Sequence, residues 1–95
     1  MEKKPLQVLL LEDNPGDARL FREYLREDNL VQIELDHVDR LKTGLERLAL
    51  GKPDLILLDL GLPDSQGLGT FTQVYAQAPQ VPIVVLTGLD DADQA

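Results

Sequence analysis

The sequence predicts an α/β fold built on a parallel sheet, and three observations carry that prediction. Short apolar runs without polar alternation, QVLLL at Gln7–Leu11, LILL at Leu55–Leu58 and IVVL at Ile83–Leu86, suit strands covered on both faces. Segments of about ten residues with helical spacing of their apolar positions lie between strands, and that alternation calls for right-handed crossovers and parallel pairing. The third observation is chemical. Acidic residues follow two of the runs, Glu12 and Asp13 after the first and Asp59 after Leu58, and the carboxyl ends of strands are where open α/β sheets place ligands.

The elements follow in order. After the first strand, Asn14 is placed to cap a helix with Pro15 at its first position and Asp17 at the positive end of its dipole. Ala18, Phe21 and Leu25 form the inward face of that helix, Arg19, Arg22, Glu23 and Arg26 the outward one, and Asp28 and Asn29 close it. Val31, Ile33 and Leu35 alternate with Gln32, Glu34 and Asp36, the period of a half-exposed edge strand. Asp39 is expected to cap a second helix with an inward stripe of Leu41, Leu45 and Leu48, stopped by Gly51 and Pro53. Leu55–Leu58 then delivers Asp59 to the sheet edge, and Gly61, Pro63 and Gly67 predict a tight loop. Asp64 or Ser65 is expected to cap a third helix carrying Leu68, Phe71 and Tyr75, ended by Ala78 and Pro79. Pro82 introduces the strand Ile83–Leu86, closed by Thr87 and Gly88, and Asp90, Asp91 and Asp93 read as the opening of a fourth helix.

Ninety-five residues, 43% hydrophobic and 27% charged, suit one small globular domain over residues 1–95 with a thin core. The formal charge is −8 and the nine basic residues are scattered, which argues against direct nucleic-acid binding, since a phosphate backbone demands a basic face. Cysteine is absent, so neither disulfides nor thiolate metal sites contribute. The Lys-bearing start from Met1 to Pro5 leads into an apolar run too short for a signal peptide or membrane span, and a cytoplasmic protein without membrane contact is expected.

Three carboxylates, Glu12, Asp13 and Asp59, end two of the buried strands. Neighbouring strands lie about 4.8 Å apart, so adjacency would bring these groups within reach of a common ion. Two like charges about 4 Å apart cost on the order of 4 kcal/mol at an effective dielectric of 20. Either one carboxyl keeps a proton or a hard divalent cation binds, and an oxygen-only donor set favours magnesium or manganese. Thr87 and Gly88, a hydroxyl and an accessible backbone N–H at the end of another strand, would suit a bound phosphoryl oxygen beside such an ion. His37, the one histidine, reads as a surface or satisfied strand-end residue far from the carboxylates; Tyr24 and Tyr75 read as packing or helix-surface residues.

EDNPGDA after the first strand, LLDLGLPDSQG at the third and VVLTG at the fourth resemble the receiver domain of bacterial two-component response regulators, in order and spacing, from Leu6 onward. The resemblance implies a flavodoxin-like doubly wound sheet of order 2-1-3-4, with three helices and the start of a fourth. It implies that Asp59 is the phosphoacceptor, that Asp13 and Asp59 bind magnesium directly, that Glu12 acts through water and that the Gly61 backbone carbonyl completes the protein ligands. Thr87 would contact the phosphoryl group and switch rotamer, assisted by the Gly88 N–H. The implied partner is a sensor histidine kinase or phosphotransfer protein, and the implied role a signalling switch that catalyses only its own phosphotransfer and dephosphorylation.

A complete receiver continues through a fourth helix, a fifth strand ending in a lysine, and a fifth helix, none of which these residues supply. Lys52 precedes the third strand and Lys42 lies in the second helix, so neither can replace that lysine. Without a fifth strand, Ile83–Leu86 is expected to be an open apolar edge, in a fragment of a longer protein or in a chain that self-associates by homodimerisation or segment exchange. Two other readings stand beside the receiver: a receiver-like interaction scaffold that takes up no phosphate, and a magnesium-dependent aspartyl phosphohydrolase. The phosphohydrolase usually needs a second aspartate where this chain has Gly61.

Overall fold

The computed structural model describes residues 5–27 and 32–86, apart from the side chains of 25–27. Its elements are β1 (Leu6–Leu11), α1 (Pro15–Glu27), β2 (Ile33–Val38), α2 (Leu41–Leu50), β3 (Leu55–Asp59), a small antiparallel hairpin of β4 (Gly61–Leu62) and β5 (Ser65–Gln66), α3 (Leu68–Gln77) and β6 (Ile83–Leu86). The main sheet has the order β2-β1-β3-β6 with parallel pairing throughout, which is the expected doubly wound arrangement. No helix among the described residues is long and apolar enough to cross a membrane.

Strand geometry explains the unbroken apolar runs. Successive side chains point to opposite faces, so Leu9 and Leu11 of β1 join Ile56 and Leu58 of β3 in one core layer with Leu41, Leu48 and Val74 from α2 and α3. Val8, Leu10 and Leu57 enter a second layer with Ala18 and Phe21 of α1. Both faces are covered, and polar alternation would bury unpaired groups. The two outer strands are different. β2 keeps Glu34 exposed between half-buried Ile33 and Leu35, as its alternation predicts, and β6, at the other side, leaves Val84 and Val85 exposed because no described element packs beyond it.

The start of α1 is as expected: Asn14 Oδ1 accepts hydrogen bonds from the Gly16 and Asp17 amides at 2.8 and 3.2 Å. The other two helix starts are not. α2 begins one residue later than Asp39 needs to serve as cap, and Arg40, at the capping position, makes no side-chain bond to it. α3 starts after Gly67, which has no side chain to cap with, while Asp64 and Ser65 are drawn into the β4–β5 hairpin. Gly67 is needed for its backbone: its φ of 71° lies in the left-handed region that other residues avoid. Of Leu68, Phe71 and Tyr75, the residues named on α3, Phe71 packs against the core cluster. Thr70, Val74 and Ala78 are buried with Phe71 alongside, whereas Leu68 and Tyr75 are 76% and 51% exposed. Leu62 from the hairpin is also buried in the core. Leu25, Asp28, Asn29, Val31 and the acidic cluster Asp90, Asp91 and Asp93 lie outside what the structure describes.

Close approach of α2 to β1 rests on Gly44. It is buried, and a Cβ there would meet Leu11 Cδ2 and come within 3.1 Å of Leu11 Cγ. Alanine favours a helix over glycine by about 1 kcal/mol, but overpacking a core costs about 1–3 kcal/mol. Gly44→Ala is therefore expected to lower the urea midpoint, with Leu11→Val in the same chain restoring part of the loss. A midpoint that rises instead would mean the helix moves off the strand freely.

Candidate functional site

The site follows from one register. Leu11 of β1 pairs with Leu58 of β3 in parallel, so the residues after each, Glu12 and Asp59, emerge at the same rim. Carboxylate oxygens of Glu12, Asp13 and Asp59 all lie within 4.8 Å of one another. Leu86 of β6 pairs with Asp59, so that strand too reaches its end at this rim; Thr87 and Gly88 themselves lie outside the described residues.

Burial divides the three acids. Glu12 is only 4% exposed, Asp59 is half-buried and Asp13 faces solvent. Burial, with the hydrogen bond to Asp59 and the charge on it, pushes the Glu12 carboxyl up to about 8, against a hydrogen bond from the Asn14 amide that lowers it. The Asn14 N–H reaches Glu12 Oε2 at 3.2 Å. The Glu12 carboxyl therefore gives up its proton less readily than a free glutamate's. The donors are oxygen alone, which matches a hard divalent cation and not a soft one.

His37 corrects an expectation. It does not lie far from the carboxylates: its Nε2 donates to the Glu12 backbone carbonyl at 2.7 Å from the neighbouring strand β2. Its hydrogen-bonding role is as expected, since the ring is satisfied by that carbonyl and supports the backbone behind the site.

The loop after β3 is more ordered than a turn. The Gly61 N–H donates to Asp59 Oδ1 at 2.9 Å, so the loop holds the carboxylate it follows. Gly67 N–H and Thr70 Oγ1 both donate to the Leu60 carbonyl, at 2.9 and 3.2 Å, and Thr70 also bonds the Ser65 hydroxyl at 2.7 Å. Asp64 reaches out of the hairpin to the N-terminus of α2, where its carboxylate accepts from the Leu41 and Lys42 amides at 2.8 and 2.9 Å. Those bonds hold its carboxyl below the usual range. Neither the buried Thr70 nor this long-range cap was foreseen from the sequence. The only local signal for Thr70 is a hydroxyl pair with Ser65, and none marks which helix Asp64 serves.

The description response regulator receiver domain belongs to a family whose profile matches residues 8–95. The regulatory protein LuxO of Vibrio cholerae serotype O1 is 36% identical over 86 residues, covering 90% of this chain but 18% of LuxO. Among solved structures, the phosphorylated cyanobacterial phytochrome response regulator RcpA superposes with a TM-score of 0.79 at 30% identity, over 96% of this chain and 71% of that one. The receiver domain of sensor histidine kinase PA1611 from Pseudomonas aeruginosa PAO1, solved with a magnesium ion coordinated in its active site cleft, gives 0.77 at 26% identity, over 90% and 70%. A profile match along nearly the whole sequence, on a fold shared with solved receivers, decides the matter: this chain belongs to the response regulator receiver domain family of two-component systems.

Proposed function

We propose that Asp59 accepts a phosphoryl group from the phosphohistidine of a sensor histidine kinase or phosphotransfer protein, and that the acyl phosphate so formed acts as a signalling switch. The observation that carries this reading is the meeting of Glu12, Asp13 and Asp59 within 4.8 Å at one rim of the sheet. RcpA, solved phosphorylated, and the PA1611 receiver, solved with magnesium, support it by similarity.

Asp13, Asp59 and the Gly61 carbonyl would hold magnesium directly, with Glu12 acting through water. When bound, the ion supplies positive charge against which the negative charge of the transferring phosphoryl group is stabilised. The residues do the rest. A carboxylate oxygen of Asp59 attacks phosphorus in line with the histidine nitrogen; an O–P bond forms, the P–N bond breaks, and its electron pair leaves with the imidazole. The Gly61 N–H, already on Asp59 Oδ1, orients the carboxylate and leaves its other oxygen for attack. Thr87 and Gly88 are proposed to bind the phosphoryl oxygens. Water later attacks phosphorus, the bond to the Asp59 oxygen breaks, and inorganic phosphate leaves as the carboxylate is regenerated.

A small-molecule phosphoryl donor with magnesium is expected to add one phosphoryl group, read by intact mass, and Asp59→Asn to abolish the addition. Uptake that survives this substitution would remove Asp59 from the role. A second expectation follows from Glu12. Its folded-state carboxyl is raised from 4.5 to about 8, so the stability carried by its protonated form is complete below 4.5 and is lost as pH rises to 8. Metal-free chain should weaken across that window in thermal melts, and Glu12→Gln should flatten the dependence. Magnesium needs the carboxylate, so its affinity, followed by calorimetry, should climb up to about tenfold per pH unit below 8 and then level off. A pH-independent affinity would take Glu12 out of the cation site.

A further inference from the structure

We propose that Asp64 is a positioning residue for the acidic site, holding the Gly61–Gln66 hairpin, and through it Asp59, in fixed relation to the strand that carries Glu12 and Asp13. As it bears on the cation, the inference rests on the reading given under Proposed function. The carboxylates come from two parts of the chain. Glu12 and Asp13 follow β1, against which α2 is packed through Gly44 and Leu11. Asp59 ends β3 and is gripped by the Gly61 amide at the root of the hairpin.

Asp64, in the turn of that hairpin, spans the two. Its Oδ1 accepts from the Leu41 amide and its Oδ2 from the Lys42 amide. The first amides of a helix have no partner within it, and the negative carboxylate also meets the positive end of the helix dipole. Arg40 supplies no competing cap. The contact bridges 22 and 23 residues of sequence, so it cannot form by local folding alone. Within the hairpin, Gly61 pairs with Gln66 and Leu62 with Ser65, while the Leu62 side chain is wholly buried. Displacement of the tip is therefore passed to Gly61, whose N–H holds Asp59 and whose carbonyl is the proposed ligand. A helix cap that served α2 alone would need none of this continuity.

Backbone amide exchange by NMR on the metal-free chain, with magnesium titrations followed by amide shifts, tests the proposal in wild type, Asp64→Ala and Asp64→Asn. In Asp64→Ala the Gly61 amide should exchange faster and magnesium affinity should fall about tenfold, the lower end of what loss of an outer partner costs a metal site. Asp64→Asn, which still accepts at one oxygen, should fold and fall between. If Leu41 and Lys42 lose protection while Gly61 exchange and magnesium affinity stay as in wild type, Asp64 is a helix cap only and the proposal is overturned. Wild type that binds no magnesium would instead overturn the reading of the cation site, and the Gly61 exchange comparison would then decide the role of Asp64 by itself.

Discussion

Three carboxylates meeting at one rim is a constraint that the molecule must answer everywhere else. The pairing of Leu11 with Leu58 creates the meeting, and a slip of one residue would turn the apolar side chains of β1 to the wrong faces. Register is therefore enforced by the two core layers and not by the acids, whose mutual repulsion opposes it. Hydrophobic burial along β1 and β3 holds together groups that would separate in solution. Burial first, and then the hydrogen bond to Asp59 and the charge on it, raise the Glu12 carboxyl.

Supporting contacts around the rim share a pattern. His37 holds the Glu12 backbone from β2, Gly61 holds Asp59 from the hairpin, and Thr70 and Gly67 hold the Leu60 carbonyl from the start of α3. Each reaches the site from a different element. The carboxylates are left with oxygens to spare, while the backbone that carries them is tied on several sides.

Legibility in the sequence tracked how local the physics is. Asn14 caps the helix immediately after it, and two to three residues of separation made that readable. Apolar runs with no polar alternation announced strands buried on both faces, and the sheet order came from resemblance to a known family. The third helix was placed correctly, yet its cap was not. The positions it buries are Thr70 and Val74, with Ala78 just beyond its end, and the sequence singled out none of them as core. Leu62, from the hairpin, is buried in the same core cluster as Val74 and Ala78.

Amino-acid order alone was enough for the class of fold and for the edge on which the acids lie, since these depend on strand periodicity. The partner of each polar group was another matter. Asp64, offered with Ser65 as a cap for the helix that follows, serves the one before it, and His37, expected far from the carboxylates, bonds the backbone carbonyl of Glu12. A hydrogen bond requires a donor and an acceptor within about 3 Å, and across more than twenty residues that distance is set by how the chain packs, not by how it is spelled.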